Sequence, residues 1–244
     1  MLASDDGINL IYTAQRVSLV AIGVMSAFVI NVLVYPPDHQ KILFNKIKKA
    51  SEKTIFLLRV LPNKTMSIPQ MKDEDKEIDK MINRAKDYFE IIADERNSLF
   101  IRNRMDFLRN IIIYKHMIRV LRKKHTLIQQ LEKNLHNIEM VSLGKSHMVK
   151  KLVSEINTYS ENVLLMFEDR IVLDRDLQKE TKHAMRVTIN NLIEALQGSD
   201  FEKWSYVFPI ANSIVELFYE LDKLERLVRI KEMREINKRE KKGS

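Results

Sequence analysis

Residues 17–35 read VSLVAIGVMSAFVINVLVY; none is charged, Ser18, Ser26 and Asn31 are the polar exceptions, and Pro36-Pro37 closes the run. A helix rises about 1.5 Å per residue, so the stretch covers roughly 28 Å, close to the ~30 Å hydrocarbon core of a bilayer. Residues 8–37 are therefore expected to form one transmembrane helix, with the rest of the chain arranged around it. A secretory signal would need a basic flank, a shorter apolar run and a small-x-small cleavage site. The flank here is Asp5-Asp6 and the exit is Val34-Tyr35-Pro36-Pro37. A buried helix of a soluble core usually keeps one polar face, which this segment lacks.

The lysines set an orientation. Lys41, Lys46, Lys48, Lys49 and Lys53 come just after the run, while Arg16 alone stands just before it. Basic residues beside a span are retained on the cytoplasmic side, so the N-terminus is expected outside and the C-terminal domain in the cytoplasm. Arg16 then lies at the outer edge, where its long side chain snorkels to the headgroups or, alternatively, faces a polar cavity.

Beyond the apolar run the chain is charged and helical in pattern. The 244 residues carry a net charge of +8, no cysteine, and only five glycines and five prolines, with 30% charged and 45% hydrophobic residues. The lack of cysteine excludes disulfides, thiol catalysis and thiolate metal sites, and it fits a reducing interior. So few breakers imply long helices and few turns. The basic excess suits a domain beside anionic lipid headgroups more simply than a nucleic-acid binder. No aromatic-interleaved basic patch or helix-turn-helix spacing stands out, and nucleic acid is not an expected partner.

Residues 38–71 read as a juxtamembrane basic amphipathic helix, from about Asp38 to Val60, and a linker, LPNKTMSIP, around Pro62 and Pro69. Such a helix lies along the membrane surface or leads down into the domain. Residues 72–240 read as a cytoplasmic helical bundle. Its seams are Ile78, Ile82, Ala85, Phe89 and Ile92, then Phe107 to Ile128, then Val149 to Met166, then Met185 to Leu196, and last Ile214 to Val228. Each seam repeats at three- and four-residue steps, the heptad-like signature of packed helices. Gly144 is expected as a left-handed stop, Ser199 and Glu202 as a capping box, and Pro209 as a first-turn proline. The tail after Lys231 loses its apolar stripe and is expected to fray. The fold class is all-α: one transmembrane helix followed by an antiparallel cytoplasmic bundle of long, coiled-coil-like helices.

Little in this pattern supports chemistry. His125 occupies a seam position between Leu121 and Ile128, which suits a packed polar residue. His136 shares a helix face with Glu132 and Glu139, but Lys133 and Asn134 make that face read as a salt-laced surface rather than a metal site. Glu168, Asp169, Asp174 and Asp176 lack the glycine turn and spacing of a calcium loop. With few glycines, a backbone phosphate cradle has little to be built from. No enzymatic activity, catalytic residue, metal or cofactor is expected. Arg102, Arg104, Arg109, Lys115, Arg119, Arg122, Lys123 and Lys124 form the strongest charge feature. They span too many turns to share one face; part is a solvated side, and the rest would gather anions or anionic lipid.

Arg16-Val17, Gly23, Ala27, Asn31 and Pro36-Pro37 form the pattern R-V-x5-G-x3-A-x3-N-x4-P-P. This resembles the last membrane helix of the bacterial aromatic acid exporter family, within the fusaric acid resistance-like superfamily. The basic helical region from about Lys72 to Lys238 looks like that family's cytoplasmic C-terminal domain. The resemblance implies the C-terminal part of a bacterial plasma (inner) membrane exporter of aromatic carboxylates or similar amphipathic anions, its bundle serving assembly or regulation. A single helix cannot enclose a polar pathway. The implied partners are thus membrane lipids, other transmembrane spans or like subunits in a homo-oligomer, and an aromatic carboxylate substrate. Gly23, Ser26 and Ala27 offer a small-residue face for close helix contact. Arg16 and Asn31 are the candidates for the substrate path, Asn31 fitting equally a polar residue near the inner headgroups. The alternative is a single-span, membrane-anchored helical scaffold or sensor with no transport role.

Overall fold

A computed structural model describes the backbone of residues 5–33, 39–63, 66–94, 104–141, 143–171, 175–197 and 201–243, and within the first helix the side chains of 12–27. The described residues are all-α: α1 (Asp5–Leu33), α2 (His39–Val60), a short 3₁₀ turn (Leu61–Asn63), α3 (Ile68–Asp94), α4 (Arg104–Val141), α5 (Leu143–Phe167), α6 (Arg175–Gln197) and α7 (Phe201–Gly243). They divide into two compact units, 1–39 and 40–244.

The first unit is α1. Its described apolar side chains are exposed all round: Val17 64%, Leu19 70%, Val20 65%, Ile22 63%, Val24 65% and Met25 66%. Among the described residues no helix is both long and apolar enough to cross a membrane. The described side chains of α1 stop at Ala27, whereas the apolar run continues to Tyr35; Pro36-Pro37 lies outside the described residues.

The second unit is an up-and-down bundle whose contacts fix each helix direction. Gln40 meets Asn110 at 2.8 Å and Phe44 packs on Tyr114, so α2 and α4 run parallel. Lys46 lies over the Tyr88 ring and Lys53 pairs with Glu74 and Glu77, so α3 runs against α2. Lys123 pairs with Glu216 and His116 faces Glu220, so α7 runs against α4. Tyr159 bonds Glu225 and Lys231 covers the Phe167 ring, so α5 and α7 run together. Lys182 pairs with Asp222 and Arg186 covers Phe218, so α6 opposes α7.

α4 is the inner member. Ile113, Tyr114, Met117, Ile118, Val120, Leu121, Leu127, Ile128 and Leu131 are all buried, a far wider stripe than one heptad seam. α2 belongs to this unit too. Leu43, Ile47, Ala50, Leu57 and Leu58 lie in the same core, so the helix leads down into the domain. Three of its lysines are engaged there: Lys48 pairs with Glu168 at 2.7 Å, besides the contacts of Lys46 and Lys53, while Lys49 is exposed. Asn157 of α5 donates to the Ile55 carbonyl at 3.0 Å, tying α2 to its neighbour through the backbone.

Several helix ends differ from expectation, for local reasons. α3 starts at Ile68 rather than near Lys72, because Ser67 and Gln70 form an S-x-x-Q cap: Gln70 Oε1 accepts from the Ser67 hydroxyl (2.9 Å) and backbone N–H (3.3 Å). Pro69 falls in the first turn, where no N–H is needed. Gly144 is not a left-handed stop; it lies inside α5, and the described glycines have no positive φ. Pro209 lies well inside α7, which begins at Phe201, and is not in its first turn. α7 stays helical to Gly243 where fraying was expected. Ser199 and the side chain of Glu202 lie outside the described residues.

The left-handed residue falls at Asp169 instead, with φ of 54°. Arg170 N–H bonds Leu165 O and Asp169 N–H bonds Met166 O, both at 3.0 Å. That is the paired 6→1 and 5→2 pattern closing a helix through a left-handed C′ residue. Glycine carries no side-chain penalty there, and a β-branched residue carries a large one. Asp169→Gly is expected to leave the urea midpoint unchanged or raise it, whereas Asp169→Val lowers stability by about 1–2 kcal/mol. Equal midpoints for the two variants would show that the turn sets no conformational demand.

Candidate functional site

The α1 candidates come first. Arg16, Gly23, Ser26 and Ala27 are exposed, and a Cβ added at Gly23 would meet nothing within 4 Å. The side chain of Asn31 lies outside those described. Arg16 and Asn31 are fifteen residues apart on one helix, about 22 Å along its axis, so α1 alone does not bring them together.

The described members of the basic set, all on α4, separate into four fates. Arg102 lies outside the described residues, and Arg104 is exposed at the helix start. Arg109 pairs with Asp106 at 3.0 Å, and Lys123 pairs with Glu216 at 2.6 Å, which holds the Glu216 carboxyl below its usual range. Lys115, Arg119 and Arg122 recur at four- and three-residue steps on one face. They line a groove of about 180 Å³ between α3 and α4, together with Lys86 and Glu90. Its apolar wall is Phe89, half-buried, and Ile118, buried. Lys86 and Glu90 pair with each other at 3.4 Å. Among the described residues no carboxylate pairs with Lys115, Arg119 or Arg122.

The other cleft between these helices is wider, about 480 Å³, and lined by Met71, Lys72, Asp75, Gln129, Glu132 and Lys133. Its two cations face two carboxylates, so it has no field to favour an anion. His125 has its Nε2 2.7 Å from Asp75 Oδ1; it is the packed polar seam residue the spacing suggested. His136 is exposed and Glu139 lies outside the described side chains.

Lys124 is the residue sequence reasoning misplaced. It is not on the solvated side but 0% exposed, in line with Met117, Leu121 and Ile128. Its ammonium reaches the Ser51 hydroxyl at 3.5 Å, a marginal bond. Burial drives its pKa down to about 7, with Glu161 of α5 pulling the other way. Ser51 and Ser160 also line a void of about 20 Å³ at the meeting of α2, α4, α5 and α7, room for roughly one water. The available signal was Lys124's phase: it falls in a run of apolar positions on both sides, as a surface lysine would not.

A second polar cluster, also unforeseen, joins α5, α6 and α7. Lys182 bonds both Asp222 and Glu225 at 2.6 Å and stands over the Tyr159 ring. Tyr159 donates to Glu225 at 2.6 Å, Arg229 to Glu225 at 2.7 Å, and Arg226 to Asp222. Burial alone would raise the Glu225 carboxyl, yet bonds from Lys182, Tyr159 and Arg229 hold it below its usual range. Asp222 is likewise lowered against its burial by Lys182 and Arg226. Burial, and next Glu225, push the Tyr159 hydroxyl far up, so it remains a donor. Every charge here is partnered, the mark of a helix-locking network rather than a reactive site.

The chain is similar to the UPF0421 protein YgaE of Bacillus subtilis (strain 168), 22% identical over 228 residues, which are 93% of this chain and 64% of that relative. It thus spans under two thirds of that relative's length. No family model and no solved structure matches.

Two predictions test the polar interior. Free lysine holds its proton to about pH 10.4, while Lys124 releases it near 7. Between those values the unfolded chain binds more protons, so the penalty for burying Lys124 is complete below pH 7 and fades as pH rises. Lys124→Met is expected to stabilise the protein by about 1–4 kcal/mol below pH 7. The gain should shrink toward pH 10, read from urea unfolding in nonionic detergent. Glu225→Gln is expected to cost about 3 kcal/mol at neutral pH by stripping partners from Lys182 and Arg229. Because the folded carboxyl is lowered, that contribution is complete above the ordinary carboxylate range. It is lost as pH falls below that range, so wild type and variant should converge in acid.

Proposed function

We propose that the chain is the membrane-tethered, C-terminal part of a bacterial plasma-membrane exporter of amphipathic carboxylates, its helical unit regulating or assembling the transporter. The observation that carries this is α1, whose described large apolar side chains are exposed on every side. Fully removing a Val, Leu, Ile or Met side chain from water is worth about 1.5–3 kcal/mol. For the six exposed on α1 that amounts to on the order of 10 kcal/mol, as large as the whole stability of an ordinary domain. Lipid supplies the missing apolar surroundings. The pattern from Arg16 to Pro37 and the basic, all-helical second unit support the exporter assignment.

Transport needs more than one helix around the path, so Gly23, Ser26 and Ala27 serve as the contact face for further spans or a second copy. Arg16, and Asn31 farther along α1, flank the carboxylate's route. The orientation is N-terminus outside and bundle inside, by the lysines after the apolar run.

Carbonate-washed membranes from expressing cells give the first test. The chain is expected in the pellet, and Val20→Lys with Val24→Lys, each costing roughly 2.5–3.5 kcal/mol at a span centre, should move it to the supernatant. Wild-type chain in the supernatant would end the proposal. Intracellular benzoate is then measured in loaded cells. Faster loss with the chain than with Arg16→Gln supports export, whereas equal rates with a membrane-bound chain favour the scaffold or sensor.

A further inference from the structure

We propose that the groove between α3 and α4 binds a small carboxylate with a flat apolar body. This rests on the proposed function only for why such a site belongs in the bundle; the geometry stands without it. Lys115, Arg119 and Arg122 form a cationic row at one-turn spacing, and Lys86 adds a fourth positive charge from α3. Glu90 is the one carboxylate among the groove's lining residues and is held by Lys86 at 3.4 Å. Like charges one turn apart on a helix repel by a few tenths of a kcal/mol per pair. Three of them with no carboxylate partner among the described residues is an arrangement an anion relieves.

The groove also has an apolar wall, Phe89 from α3 and the buried Ile118 from α4 between the cations. A bare anion such as phosphate uses only the cationic row and leaves that wall wet. A ring bearing one carboxylate uses both: the carboxylate takes a bidentate fork from Arg119 or Arg122, and the ring covers Phe89 and Ile118. Guanidinium planes also stack on aromatic faces, so the ring gains a second contact. The groove's volume of about 180 Å³ is below the ~300 Å³ at which pockets begin to take drug-sized ligands, so it suits a one-ring molecule. The wider cleft at Asp75 and Glu132 has balanced charge, which makes it the internal control.

Calorimetric titration of the full chain in nonionic detergent tests this with benzoate, cyclohexanecarboxylate, acetate and inorganic phosphate. Benzoate is expected to bind at a single site, about tenfold tighter than acetate or phosphate because only it covers the apolar wall. Arg119→Gln is expected to weaken it about tenfold through the lost charged hydrogen bonds. Phe89→Leu should narrow the gap between benzoate and cyclohexanecarboxylate. Lys133→Gln, in the neutral cleft, should change nothing, and circular dichroism confirms each variant's fold. Acetate or phosphate binding as tightly as benzoate overturns the proposal, as does benzoate binding unaltered by Arg119→Gln. Vesicles of anionic phospholipid that bind through Arg119 while benzoate does not would reassign the groove to lipid headgroups and also overturn it. None of these readings depends on membrane retention or efflux, so this site and the exporter assignment fail separately.

Discussion

Everything in the second unit is organised by the need to bury α4. Its apolar positions from Phe107 to Leu131 cover most of its circumference, so α2, α3, α5 and α7 must all approach it. One narrow face remains for water. Cations concentrated on a helix with so little free surface are forced together there, and Lys115, Arg119 and Arg122 become neighbours. The same crowding captures Lys124, just past Arg122 in the chain. The groove and the buried lysine are therefore two results of a single packing constraint.

The two buried polar sites obey opposite rules. Around Glu225 each charge has an opposite charge and a hydrogen bond, so lost hydration is largely replaced. Such a network adds little net stability over an apolar core, but it penalises every misaligned packing of α5, α6 and α7. Lys124 has no equivalent: one distant hydroxyl and the field of Glu161 do not replace a hydration shell. Near neutral pH it is close to its midpoint, so the centre of the bundle carries a charge that changes with modest acidification. The adjacent small void with two serine hydroxyls gives that charge somewhere to be hydrated.

The sequence was legible where a period repeated. The seams at Tyr114, Ile118, Leu121 and Ile128, at Leu152, Ile156, Tyr159 and Val163, and at Ile214, Leu217, Leu221 and Leu224 are all buried. Periodicity reports on many residues at once, and single-residue errors average out. Punctuation was less legible because it rests on one residue each. Gly144 is helical, Pro209 is well within α7, and the left-handed turn falls on Asp169 because the Leu165 and Met166 carbonyls needed donors there. Among the site residues, the cationic row was visible as composition, but its partition was not. Whether Lys123 meets Glu216, or Lys124 goes inside, depends on which helices sit beside α4, and a one-dimensional pattern does not contain that.

α2 changes what the lysines after the apolar run mean. As a free basic helix they would press against anionic headgroups, each worth about 1 kcal/mol near the surface. Instead Lys46 lies over Tyr88, Lys48 holds Glu168 and Lys53 bridges Glu74 and Glu77. On the proposed membrane reading, their charges still count toward retention during insertion, when α2 has not yet found its bundle partners. Once it has, the ammonium groups of Lys46, Lys48 and Lys53 belong to the fold. α2 is thus a packed member of the second unit rather than a loose basic strap. An anion held in the proposed groove sits on the helix that α2 packs against through Gln40, Phe44 and Ser51. The groove-bearing helix and α2 are thus joined by packed side chains.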